Sequence, residues 1–424
     1  MNEELFQFIW QTGLFNSFEL KTSKGQKVEI FKRGILNTNA GPDFLNAHVK
    51  IDDTLWIGNV ELHTHSHLWN THKHQDNAAY NNTILHVVLK DDMDCFRNDG
   101  SLLPCIALEN KIQTSLLQHY DFLKENQDWV SCAKRLPLID QFTISQVIER
   151  KSIERLERKT NWVKGLLQQS NNDWHTVFYV SIARCFGFGI NGNAFEQLAF
   201  SLPITIIAKH QSNLLQIESL IFGVAGYLSE KIDCTYHETL RKEWQFLSKK
   251  YHLKAMDKTV FKQMRMRPGN LPTMRLAQFS KLIYNSHHLL SQVIEETDVK
   301  KILNFFKSPG SEYWQTHYVF GKESKQHSTD LSVSSMQSVL INSVVPVLFV
   351  YGQLLSNESI SQKALNILHQ LPSESNQIIT NWSQYGIHSR TAFDSQALIE
   401  LKQNNCDLKL CLNCKIGSKI LSLK

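Results

Sequence analysis

Residues 41–86 read GPDFLNAHVKIDDTLWIGNVELHTHSHLWNTHKHQDNAAYNNTILH, and their alternation decides the fold of the front of the chain. Along Val60-Glu61-Leu62-His63-Thr64-His65, apolar and polar residues take turns. A strand sends successive side chains to opposite faces, so Glu61, His63 and His65 share one face and Val60 and Leu62 the other. Segments 47–51, 55–63 and 84–89 are short and rich in β-formers, as is 27–36 upstream. Asn39-Ala40-Gly41-Pro42 and Asp52-Asp53 are turn signals between them. Phe6, Ile9 and Trp10 within 5–14 predict a short leading helix, and 74–82 has room for about two helical turns.

From about residue 112 the period changes. Ile144, Val147, Ile148, Leu156, Val163 and Leu167 recur near 3.6 residues, with Glu149, Arg150, Glu154 and Arg158 on other faces. Gly187-Phe188-Gly189-Ile190-Asn191-Gly192 lacks the spacing of a dinucleotide-binding turn and reads as a helix–helix connection. The expected fold is α+β, with a small N-terminal mixed sheet and flanking helices over 1–120 and a larger, mainly helical region over 121–424.

The chain has 424 residues, 42% hydrophobic and 20% charged, which excludes a disordered polymer. The longest strongly apolar run, 344–351, contains Pro346 and is too short to span a bilayer. The first residues, Met1-Asn2-Glu3-Glu4, lack the basic start of a secretory signal, so a cytoplasmic protein without membrane contact is expected. The net charge of +5 is uneven: residues 1–110 hold nine Lys/Arg against fourteen Asp/Glu, leaving thirty-six against twenty-six in the rest.

Six of the eighteen histidines lie between His63 and His86. A turn carboxylate, Asp43, and Glu61 on the next strand form the pair expected to hold Mg²⁺ or Mn²⁺, with His63 activating or positioning water. His74, Asp76, Tyr80 and His86 are candidates for supporting or phosphate-contacting roles. His72 reads as a solvated turn residue, and His65 and His67 as peripheral. Arg241, Lys242, Lys249, Lys250, Lys254, Arg265 and Arg267 lie in a basic stretch, 241–275, that would suit DNA or RNA phosphates. Trp244, Tyr251 and Phe261 interleave with them as candidate stacking residues, although aromatics at such spacing are more often core.

Asp43 after Gly41-Pro42, followed eighteen residues later by Glu61-Leu62-His63, resembles the PD-(D/E)XK nuclease signature with His in place of Lys. That resemblance implies a nuclease-like sheet domain and a divalent-metal phosphodiesterase. A histidine at its ordinary pKa of about 6.5 is mostly neutral at pH 7 and stabilises negative charge less well than lysine. More of the chain is similar to a bacterial family known as domain of unknown function 2851. The residues that carry this likeness are Asn39-Ala40-Gly41-Pro42-Asp43-Phe44, Trp56 to His63 (WIGNVELH), Ala79 to Val88 (AYNNTILHVV), Arg267 to Pro272 (RPGNLP), Ile341 to Pro346 (INSVVP) and Cys411 to Gly417 (CLNCKIG). That family brings no activity with it.

Cys406-x4-Cys411-x2-Cys414 offers three thiols for zinc or an iron–sulfur cluster, both of which take four ligands. Cys132 and His388 are the distant candidates for the fourth. Similarity to RecB-like nucleases, which join one remote cysteine to three late ones, implies Cys132. No Gly-x-Ser-x-Gly, phosphate-binding loop or His-Glu-x-x-His occurs. Three readings stay open: a metal-dependent nuclease, a non-catalytic nucleic-acid-binding or scaffold protein with a decayed core, and a metallohydrolase of small substrates.

Overall fold

The alternation of residues 41–86 becomes the centre of a six-stranded sheet in the computed structural model, which describes residues 1–286 and 288–423. Helix α1 (Glu3–Thr12) precedes the sheet. The Asn2 side chain accepts from the Leu5 N–H at its start, and left-handed Gly13 ends it. Its apolar stripe, Leu5, Phe6, Phe8, Ile9 and Trp10, is buried. The strands are β1 (Val28–Lys32), β2 (Ile35–Leu36), β3 (Phe44–Ile51), β4 (Thr54–His65), β5 (Thr83–Lys90) and β6 (Cys105–Ala107), with helix α2 (Leu68–Thr71) between β4 and β5. Their order is β1-β3-β4-β5-β6, with β2 also paired to β3. β1, β3 and β4 are antiparallel neighbours, while β4, β5 and β6 run parallel.

Two local features explain the register. Asp52 takes the left-handed conformation that closes the tight β3–β4 turn. Gly58 on β4 lies where a Cβ would stand 2.4 Å from Ile84 Cγ2 and 2.6 Å from the Asn82 carbonyl, so only glycine lets β5 approach here. The 74–82 stretch is not one helix but two 3₁₀ turns, His74–Asp76 and Ala78–Tyr80, because Asn77 is extended and caps the second of them.

The chain divides into two compact units, 1–147 with 402–424 and 148–401. The break thus falls later than the expected 120, and the cysteine tail belongs with the sheet rather than with the helical region. The first unit also holds α3 (Thr114–Glu125), and the break lies inside the 29-residue helix α4 (Gln141–Gln169). The second unit is helical around one continuous apolar core that includes Phe186, Phe222, Phe279 and Trp314. The glycine patch joins helices Trp174–Phe186 and Gly192–Ser201.

One expectation fails on length. The apolar segment around Pro346 is part of a 22-residue helical run, Val333–Leu354, of mean hydropathy 1.7, long and apolar enough by those measures to cross a membrane. Proline lacks an N–H and crowds the carbonyl four residues back. The run continues because the preceding turn, Leu340–Val344, widens to a π-helix. Of its most apolar 18-residue window 61% is buried within the protein, and Val339, Leu340, Val344, Val347 and Leu348 belong to the second unit's core.

Candidate metal centre

Both faces of β4 are buried from Val60 to His63. The apolar face is core, and the polar face is covered by the segment between β4 and β5. Glu61 is 5% exposed, His63 1% and His86 0%, so this face is an enclosed site and not a solvated one. β5 runs parallel to β4 with His86 opposite Glu61. Trp69 of α2, itself buried, lines the site with its ring centroid 5.3 Å from His74 and 5.6 Å from His86.

Asp43 and Glu61 meet as the sequence predicts, through a reciprocal arrangement. The Asp43 N–H donates to Glu61 Oε2 at 3.0 Å, and the Leu62 N–H donates to Asp43 Oδ2 at 2.9 Å. Gln7 from α1 donates to Asp43 Oδ1 at 2.8 Å. Burial raises both carboxyls above the ordinary range, and the Glu61 charge adds to the effect on Asp43. Two adjacent buried carboxylates carry a cost that a cation would offset.

Glu61 Oε1 faces imidazoles. It lies 3.2 Å from His74 Nε2 and 3.7 Å from His63 Nε2. His63 Nε2 is 3.2 Å from His72 Nδ1, and one nitrogen from each of His63, His72 and His74 falls within 4.8 Å of the others. Four nitrogens around one ion at about 2.1 Å would stand roughly 3.4 Å apart, so small rotations close the site. Burial, followed by the neighbouring histidines, holds His63 down to about 2. Burial, followed by His74, holds His86 down to about 3. Both rings are therefore neutral, so the approach of His63 to Glu61 is not an ion pair, and burial lowers His74 as well. His74 Nε2 is buried without a hydrogen bond, an orphaned polar atom of the kind a ligand satisfies.

His86 orients the site. Its Nε2 stands 2.9 Å from His63 Nδ1, and with the proton on His63 Nδ1 the His63 Nε2 lone pair points toward Glu61. Tyr80 stacks on the His74 ring at 3.9 Å and fixes its plane. One expectation is extended and one changes. His72 lies in an exposed turn as expected, yet its Nδ1 reaches His63 Nε2, because Lys73 takes a left-handed conformation and turns the chain between His72 and His74. Asp76 is not part of the cluster: it is exposed and accepts from its neighbour Gln75. Gln7 and Trp69 carried no signal of a role in the sequence. His67 pairs with Asp92 at 2.6 Å, apart from the cluster as expected.

The basic stretch 241–275 folds differently from expectation. Lys242, Lys249, Lys250, Lys254, Arg265 and Arg267 are exposed, but Arg241 pairs with Glu238. Trp244 and Phe261 are core residues, and the Tyr251 hydroxyl bonds His210 at 2.9 Å, so none of the three is a free stacking platform. Cys132 lines one cavity with Cys406, Cys411 and Cys414.

Comparison with curated proteins and with solved structures gives no match. One family model, described as a protein of unknown function, matches residues 3–377, which includes the whole sheet and His cluster and stops short of Cys406. This chain belongs to that family, DUF2851.

Proposed function

We propose that this protein is a metal-dependent hydrolase whose ion sits among Glu61, His63, His72 and His74, with nucleic-acid phosphodiesters as its substrate class. The observation that carries the reading is the meeting of the His63, His72 and His74 imidazoles within 4.8 Å of one another, beside a buried Glu61 carboxylate that His63 and His74 face. Three nitrogens and one carboxylate favour zinc or manganese over magnesium, which prefers oxygen ligands throughout. Such an ion lowers the pKa of water and polarises a phosphoryl oxygen. Asp43 lies next to Glu61 and is suited to take up a proton, since its raised affinity for protons brings it nearer to working pH. His86 and Tyr80 hold the His63 and His74 rings.

The nuclease assignment has its support in Asp43 at the head of β3 beside Glu61-Leu62-His63 on β4, the placement that the PD-(D/E)XK resemblance implies. The exposed lysines and arginines of 242–267 are available for phosphate contact. A small-substrate hydrolase is the second reading, favoured by the 1% exposure of His63 and by the burial of the expected stacking residues.

The test is ion binding by calorimetry with Zn²⁺ and Mn²⁺, then hydrolysis of DNA, RNA and bis-p-nitrophenyl phosphate. Glu61→Gln and His74→Ala are expected to lose ion binding and turnover together while keeping native circular dichroism. Cleavage of the small diester alone supports the second reading, and ion binding without any hydrolysis supports a non-catalytic protein. Full ion binding by both variants sinks the site.

A further inference from the structure

All eight cysteines are free thiols, and the distant Cys132 lines one small cavity in the first unit with the three clustered near the end, Cys406, Cys411 and Cys414. Cys132 is buried and directly precedes the 3₁₀ stretch Ala133–Leu138. Cys406 ends the widened turn Lys402–Cys406, and Cys411 begins the 3₁₀ turn Cys411–Asn413. Cys414 occupies the N-cap of helix Lys415–Leu421.

The backbone around them is folded to a tight specification. Lys409 is left-handed, the Leu410 N–H donates to the Asn405 carbonyl at 2.9 Å, and the Cys414 N–H donates to the Cys411 carbonyl at 3.2 Å. Gly417 lies so close beneath this loop that a Cβ would stand 2.1 Å from the Cys411 oxygen. A side chain there would push the Cys411–Cys414 loop off the helix that follows it. Four thiols line this one cavity, and thiolates gathered this way repel unless a cation sits between them.

We infer that Cys132, Cys406, Cys411 and Cys414 hold a metal centre through four thiolates, and that this centre ties the last segment, 402–423, into the first unit. The donor set is that of structural zinc or of an iron–sulfur cluster, and either ties ligation to the local fold. Without the centre the tail is held by the burial of Asn405, Ile416, Gly417, Ile420 and Leu421 and by surface contacts such as Lys409 to the Lys124 carbonyl and Lys402 over the Trp129 ring. This centre is independent of the His cluster and rests on different residues.

The experiment uses the full chain purified without oxygen, in a His72→Ala/His74→Ala background so that the first site contributes no ion. One zinc per chain without visible absorption supports the inference, as does iron with broad visible absorption. Neither metal overturns it. Cys132→Ser and Cys406→Ser are each expected to lose the metal, and full occupancy in Cys132→Ser overturns the four-thiolate assignment. Should those variants fail to fold, limited trypsin digestion of the unsubstituted chain decides. Stripping the metal with a chelator, plus an oxidant for iron, is expected to speed cleavage at Lys409, Lys415 and Lys419 at least tenfold, with 148–401 left intact. An unchanged cleavage rate overturns the tie.

Discussion

Residues 61–86 and residues 241–275 are both dense in polar, chemistry-bearing side chains, and folding treats them oppositely. In the first, alternation on β4 puts Glu61 and His63 on one face, and the short turns before β5 close over that face. In the second, helix Thr235–Tyr251 buries His237, Leu240, Trp244 and Leu247 and leaves Lys249 and Lys250 in water. A strand in mid-sheet has two faces that can both be covered, whereas a helix packed by one stripe keeps its charged face solvated. Polar density becomes a site only where the chain also supplies a cover.

Four measurements can break or sharpen that contrast. The largest effect is expected at Trp244, which packs against Gly223 where a Cβ would stand 2.1 Å from the indole. Trp244→Ala is expected to cost about 3–5 kcal/mol in denaturant unfolding; a loss below 1 kcal/mol, with nucleic-acid binding weakened instead, would restore the stacking role and erase the contrast. Next comes His86, whose ring meets His63 and which is not itself among the proposed ligands. His86→Ala is expected to weaken Zn²⁺ or Mn²⁺ binding roughly 10–100-fold through loss of orientation. Unchanged affinity would show that His63 needs no such support.

The third effect is a pH dependence. In the ion-free protein the raised Asp43 and Glu61 carboxyls hold protons more tightly than in the unfolded chain. Stability from these groups is therefore fully present below the ordinary carboxylate range and is lost as pH rises through the raised folded values. The histidines act in the other direction. His63 and His86 stay neutral when folded, so their contribution falls away as pH drops below about 6.5, where unfolded imidazoles take up protons. Because an ion competes with the carboxyl protons, the gain in Tm on adding Zn²⁺ should be larger at pH 8 than at pH 6. A gain that is level across that window would remove the carboxylate pair from the site. The smallest effect belongs to the basic face. Lys249→Ala with Lys250→Ala should change stability by no more than about 0.5 kcal/mol and leave ion binding intact. If nucleic acid binds there, the salt slope should fall by about one per lysine.

Local pattern accounts for what was legible. The leading helix and the strands around 47–51, 55–63 and 84–89 follow from periodicity and turn chemistry within a few residues, and the tight β3–β4 turn then brings Asp43 to Glu61. His72 was legible as an exposed turn residue but not as a neighbour of His63, because that approach depends on one left-handed backbone at Lys73. Whether Trp244 and Phe261 stack or pack stayed open in the sequence, because composition does not say which residues the rest of the protein covers. The 22-residue apolar run was missed because proline signals an end that a π-turn here circumvents.

By itself the sequence determined the kinds of element, the enrichment of histidine in one stretch and the carboxylate pair that opens it. These are properties of neighbours along the chain, set by dihedral preference and by the two-residue and 3.6-residue periods. Only the tertiary structure decided that His72, His74 and His86 converge on Glu61 and His63, and that Cys132 joins Cys406, Cys411 and Cys414. Both gatherings depend on parallel pairing of β4 with β5 and on the return of 402–423 to the first unit. Contacts of that range are fixed by which apolar surfaces bury one another, a balance struck over the whole unit, and no local spacing encodes it.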